Sequence, residues 1–230
     1  MNHASAVERP DFGAFAVRMM PIRPSQLQEP GEVSKCGAGG ARNRADRESA
    51  GLKDCQVTNL VEAARMAHSI GLPLNRFITV HWEATGLSLD HMVRATGRFV
   101  DLLTKWLRRR GHRTAWIWVH ENGNDVGGHC HLLVNVPPHC VGELVAVQKS
   151  WLRRISGRPY RPKTIRSIPV GRRLGLETSN PALFCVNHDE LVEYVSKGAK
   201  NATSRWRQPG GRVVGKRCGT SQNIGAKARG

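Results

Sequence analysis

The sequence predicts an α+β fold, with a central, largely antiparallel sheet flanked by helices. Three observations lead there. Apolar periodicity switches between helical and strand spacing in the order helix, strand, helix, strand, strand, helix, strand, helix. The two consecutive strands are divided by a Gly/Asn/Asp-rich connection, which marks a hairpin. A length of 230 residues provides one domain of ordinary size with tails, and two full domains would be a squeeze.

The elements follow in chain order. Residues 1–56 mix Gly, Pro, Arg and Ser without apolar periodicity and read as a flexible basic N-terminal arm. From Asn59, with Glu62 at capping-box spacing, Leu60, Ala63, Ala64, Ala67 and Ile70 predict a helix that Gly71 and Pro73 stop. Arg76 to Glu83 is β-branched and aromatic, hence a strand. Ser88 to Arg110 is the clearest helix, because Met92, Val93, Thr96, Phe99, Val100, Leu103, Trp106 and Leu107 share one face. Its terminal Arg108, Arg109 and Arg110 suit either the negative helix end or a phosphate. Thr114 to Glu121 and His129 to Val136 form the hairpin, and Val141 to Ile155 is amphipathic. A basic stretch with a short strand at Thr164 to Val170 leads to a last helix from about Asp189 to Lys200. This sets the domain at residues 57–202 and a basic C-terminal tail at 203–230.

Lys and Arg total 35 against 18 Asp and Glu, a formal charge of +17. Such an imbalance argues against an enzyme of small neutral molecules and points to a polyanionic partner. No stretch approaches the ~18 apolar residues of a membrane helix, and Met1 to Met20 lacks the apolar core of a signal peptide. The expectation is a cytoplasmic protein with no membrane partner. The six cysteines form no Cys-x-x-Cys pair, so a zinc knuckle or redox dithiol is not indicated and a reducing compartment fits. The string Gly210 to Lys216 is close to a phosphate-binding loop, but Arg217 stands where Ser or Thr would bind magnesium and no buried strand precedes it.

The chemistry concentrates in two places. His129 and His131 sit two apart at the start of a strand, so both imidazoles face one way. If Asn122 to Gly128 make a symmetric turn, Glu121 falls opposite His129 on that face. One carboxylate and two imidazoles with open positions describe a catalytic metal site; the ordinary alternative is the solvent-facing side of an edge hairpin. The ligand set admits Mg²⁺ or Mn²⁺ and does not exclude Zn²⁺. The second place is Tyr194-Val195-Ser196-Lys197, where helical spacing makes Tyr194 and Lys197 neighbours at the edge of the core. Taken on its own, the pair is better explained as a tyrosine snorkelling beside a solvated lysine. Tyr160, the other tyrosine, reads as a turn or backbone-contact residue.

Glu121, the His129-x-His131 pair on an apolar strand and Tyr194-x-x-Lys197 on a later helix, in that order, resemble the HUH endonuclease superfamily, in particular its single-tyrosine rolling-circle replication initiators. Phe77 to Val80 takes the place of the family's first strand motif, and the resemblance spans about Arg76 to Lys200. Cys130 departs from it, standing where a bulky hydrophobic residue is usual. The resemblance implies a palm-like sheet and a nucleophilic Tyr194 that leaves a 3′-hydroxyl and a 5′-phosphotyrosine. It also implies a divalent ion on Glu121, His129 and His131, with Lys197 favouring the phenolate or holding a phosphate. The implied substrate is single-stranded or hairpin origin DNA. The short stretch after Lys200 leaves no room for a helicase domain, so a host helicase is the expected second partner.

Basic residues with an interleaved aromatic suit a single strand, whose phosphates pair while its bases stack. Arg153, Arg154, Lys200, Arg205 and Trp206 are therefore the candidate DNA contacts. Other classes stay open: a single-tyrosine transposase using the same chemistry, a DNA-binding module without catalysis, and an RNA-binding protein supported by charge alone.

Overall fold

The computed structural model describes residues 47–123, 126–199 and 209–230. Its elements are β1 (Glu48–Ser49), α1 (Asp54–Ser69), β2 (Arg76–His81), α2 (Leu89–Arg108), β3 (Trp116–Gly123) and β4 (Gly127–Val134), followed by α3 (Val141–Ser156), β5 (Ile165–Pro169), α4 (Leu176–Ser179), α5 (Pro181–Val195), β6 (Val213–Val214) and β7 (Cys218–Thr220). Five strands make one sheet in the order β5-β2-β4-β3-β7, every neighbour antiparallel. The fold class matches the one expected from the sequence.

Strand alternation divides the core in two. Ile78, Val80, Trp118, Cys130, Leu132 and Val134 point to the layer of α2 and α3, where Phe99, Trp106 and Trp151 pack edge to face. Ile117, Val119 and Leu133 point the other way, toward α1 and α5, and meet Leu60, Ala64, Phe184 and Val192. Glu121, His129 and His131 belong to this second face.

Several boundaries differ from those expected. Helix α1 begins at Asp54, five residues before Asn59, and the Gln56 side chain accepts from the Lys53 N–H at 2.9 Å. Helix α5 begins at Pro181, because the Asn180 side chain accepts from the Leu183 N–H at 3.1 Å and proline suits the first helical position. It ends at Val195, so Lys197 lies in the turn beyond it. The expected N-terminal arm overlaps β1 and the start of α1, while residues 1–46 lie outside the described residues.

The expected C-terminal tail also folds over its described part. Strand β6 pairs with β1, and β7 extends the sheet beside β3. Arg217, within the expected basic tail, is 2% exposed and donates to Ser49, Gly210, Gly211 and the His120 carbonyl, tying these segments to β3. The string from Gly210 forms β6 and is followed by β7 rather than by a helix, unlike a phosphate-binding loop. Cys130, Cys140, Cys185 and Cys218 are free thiols, whereas Cys55 is disulfide-bonded, against the expectation of reduced cysteines throughout. Among the described residues no helix is long and apolar enough to cross a membrane.

Candidate metal centre

The hairpin register follows from the strand pattern. Glu121 pairs with His129 and Val119 with His131 across β3 and β4, and the turn centres between Gly123 and Gly127. Gly127 holds a φ of +66°, a conformation glycine adopts at little cost, and the Glu83 carboxylate accepts from the Gly128 N–H at 2.8 Å. The start of β4 is thereby fixed just before His129.

The ring nitrogens are assigned by their partners. His129 Nδ1 donates to the Gly127 carbonyl at 2.8 Å, and His131 Nδ1 lies 3.0 Å from the Thr79 hydroxyl of β2. Both rings therefore turn Nε2 toward Glu121, at 3.4 Å and 3.5 Å from its Oε2. Orientation of a ligating imidazole through its other nitrogen is what a metal site requires. Phe77 stacks on His131 at 5.4 Å, and His81, opposite His129 on β2, brings a third imidazole to the rim at 5.5 Å from His129.

Lys197 completes the centre from the other layer. Its Nζ donates to Glu121 Oε2 at 2.5 Å and lies 3.4 Å from His131 Nε2, with the side chain 5% exposed. The expected edge position is thus corrected to a buried one. The turn after α5 dips inward because Gly51, Gly198 and Gly210 let backbones approach: a Cβ on Gly198 would sit 3.2 Å from Gly210 Cα, and one on Gly51 2.6 Å from the Gly198 carbonyl. Tyr194, half-buried, lies on the same centre with its ring 5.4 Å from His131, 6.1 Å from Phe77 and 4.0 Å beneath Lys197 Nζ.

Electrostatics follow from these contacts. Burial alone would raise the Glu121 carboxyl, but His129, His131 and Lys197 outweigh it and hold it well below the usual carboxylate range. Burial lowers His131 to about 4, with Glu121 opposing, so the ring is neutral at pH 7. Burial also lowers Lys197, opposed by Glu121, and raises the Tyr194 phenol, with Glu121 adding to the rise and Arg166 opposing it. Glu121 Oε1 is buried with no hydrogen-bond partner. An orphaned carboxylate oxygen beside two imidazole nitrogens fits a divalent cation, and Glu121, His129 and His131 form a cluster that can hold one.

The remaining site expectations divide. Arg153 and Arg154 are exposed on the last turn of α3, in the layer across the sheet from Tyr194, so the structure does not bring them to the metal centre. Lys200, Arg205 and Trp206 lie outside the described residues. Tyr160 packs against the α3 side of the core with Lys149 Nζ 5.7 Å from its ring, rather than serving only as a turn. Thr79, His81 and Arg166 are the residues that sequence reading missed at the centre. Arg166 pairs with Thr79 across β5 and β2 and so shares its face; the period-two alternation of Arg76 to His81 was the signal for the other two. No family model, curated protein or solved structure matches this chain.

Proposed function

We propose that this chain is a metal-dependent nicking and joining endonuclease that cuts single-stranded or hairpin origin DNA through a 5′-phosphotyrosine link, as a rolling-circle replication initiator does. The observation that supports this reading is one meeting point. Two imidazoles and a carboxylate from a hairpin, and a phenol and an ammonium from the end of a distant helix, share one face of the sheet.

In the proposed step the Tyr194 oxygen bonds to phosphorus, the bond from phosphorus to the 3′ oxygen breaks, the phenol gives up its proton and the 3′ oxygen gains one. The bond energy is retained in the protein–DNA link, so the reverse attack rejoins the strand. The phenol is held protonated by burial and by Glu121, which sets the difficulty the site must overcome. Glu121, His129 and His131 would hold a divalent cation, Mg²⁺ or Mn²⁺, whose Lewis-acid charge would stabilise a phosphate oxygen. Thr79 and the Gly127 carbonyl hold the two imidazoles in their ligating orientation. Lys197, over the Tyr194 ring, stabilises negative charge on the phenolate or on the phosphate beside it. Arg166, exposed on the edge strand facing the same way, attracts the DNA backbone.

The test is adduct formation on a hairpin-bearing single-stranded oligonucleotide with Mn²⁺, read on a denaturing gel. Wild type and Tyr160→Phe should form the adduct and Tyr194→Phe should not, with DNA affinity unchanged. Absence of any adduct, together with metal-independent affinity, replaces the reading with that of a DNA-binding module.

A further inference from the structure

A second group of ligand-type side chains meets at the opposite end of the β3–β4 hairpin, ~17 Å from Glu121 by the rise of a strand. His112 follows the last turn of α2, its N–H donating to the Leu107 carbonyl at 3.1 Å. His139 and Cys140 lie in the single 3₁₀ turn Pro138–Cys140 that leads into α3. One donor atom from each of the three lies within 4.8 Å of the others.

The two imidazoles, which share a hydrogen bond, stand near the spacing of metal ligands. His112 Nε2 and His139 Nε2 are 3.1 Å apart, their rings inclined at 61°. In a tetrahedral zinc site with Zn–N of about 2.0–2.1 Å and Zn–S of about 2.3 Å, two nitrogens stand about 3.3 Å apart and a nitrogen and a sulfur about 3.6 Å. The imidazole pair is already near that distance. Cys140 is buried at the edge of the core, His112 is half-buried and His139 is exposed, so the cluster is open to solvent on one side and anchored on the other. Glu143, one turn into α3, is engaged by Arg110 at 2.6 Å and is not needed as a ligand.

We propose that His112, His139 and Cys140 form a second metal site, a thiolate-containing zinc site that staples the turn after α2 to the connection between β4 and α3. On binding, the Cys140 thiol gives its proton to solvent as the Zn–S bond forms, and water completes the tetrahedron. The thiolate separates this site from the one at Glu121, because sulfur suits Zn²⁺ whereas the carboxylate–imidazole set also admits Mg²⁺ and Mn²⁺. The inference is independent of the nicking reaction.

Cobalt(II) is the probe. Titrated into the full chain, one equivalent should give a near-ultraviolet thiolate-to-cobalt charge-transfer band with strong tetrahedral visible bands, and Zn²⁺ should displace it. The band should persist in Glu121→Gln, vanish in Cys140→Ser, and require at least tenfold more cobalt in His139→Ala. His139 is exposed, so its variant decides the matter if Cys140→Ser does not fold. No thiolate band in wild type, a band kept in Cys140→Ser, unchanged cobalt affinity in His139→Ala, or a band lost in Glu121→Gln each overturns the proposal.

Discussion

The two faces of the β3–β4 hairpin bury histidines equally well and use them in opposite ways. His120 faces α2, and both of its nitrogens are answered: Nδ1 meets the Lys216 carbonyl at 2.9 Å, Nε2 the Thr96 hydroxyl at 2.7 Å. Thr96 in turn accepts from Trp82 Nε1 at 2.8 Å, which completes a neutral network. His131 faces α5, with Nδ1 answered by Thr79 and Nε2 left to Glu121 and Lys197. Burial lowers both rings, His120 to about 3 and His131 to about 4. A buried, neutral histidine is therefore not by itself a site. The difference is that the second face gathers charge of both signs around ring nitrogens that have no neutral partner, and leaves a carboxylate oxygen orphaned.

The sharpest way to break this comparison is to remove one ring from each face. His131→Ala should reduce divalent-dependent adduct formation by about 100-fold or more, since on the proposed reading it deletes a metal ligand. His120→Ala should leave adduct formation within about twofold per folded molecule, because it touches neither phenol nor ligand. Equal losses of specific activity in the two variants would erase the distinction.

Stability separates the faces next. Glu121→Ala leaves the Lys197 ammonium buried without its partner and should cost about 3–5 kcal/mol, measured by urea unfolding. Adding Lys197→Met should restore much of that loss. His120→Ala opens a cavity and strands the Thr96 network, for a smaller cost of about 2–4 kcal/mol that no second change at Lys197 should relieve.

Per pH unit, the acid dependence is the smallest effect. A histidine with a depressed folded pKa contributes stability above its unfolded value near 6.5, and that contribution is lost as pH falls toward the folded value. For His120 the window runs from 6.5 to about 3, and for His131 from 6.5 to about 4. Each should give a slope of up to about 1.4 kcal/mol per pH unit below 6.5. Saturating Mn²⁺ should steepen the loss through His131, where protons compete with the ion, and leave the His120 share untouched. Urea titrations of His120→Phe with and without Mn²⁺ measure the two shares.

Much of this contrast was legible in the sequence, and the reason is local. Period two fixes that His129 and His131 share a face, and a symmetric turn puts Glu121 opposite His129, as the register has it. Tyr194 on a helix followed from spacing. Lys197 was placed outside the core because helical periodicity was carried past Val195; the inward dip depends on glycines that meet only in three dimensions. Period two puts Thr79 and His81 on one face of β2, but bringing them to His131 and His129 depends on β2 pairing with β4, a non-local fact. Asn180-Pro181 is a start signal for α5 that lies in the sequence itself, since the asparagine caps and the proline takes the first helical position. Arg153 and Arg154 show the limit of counting charge, which does not say on which side of the sheet a basic run lies.

The central claim is that the α5 face of the hairpin, and not the α2 face, holds a divalent cation. Diffraction from crystals grown with Mn²⁺, collected at the manganese absorption edge, tests it most directly. The account predicts one anomalous peak within ligand distance of Glu121, His129 and His131, and none near His120. A Glu121 carboxylate still held by Lys197 in saturating Mn²⁺, with no anomalous peak at the three side chains, would contradict it.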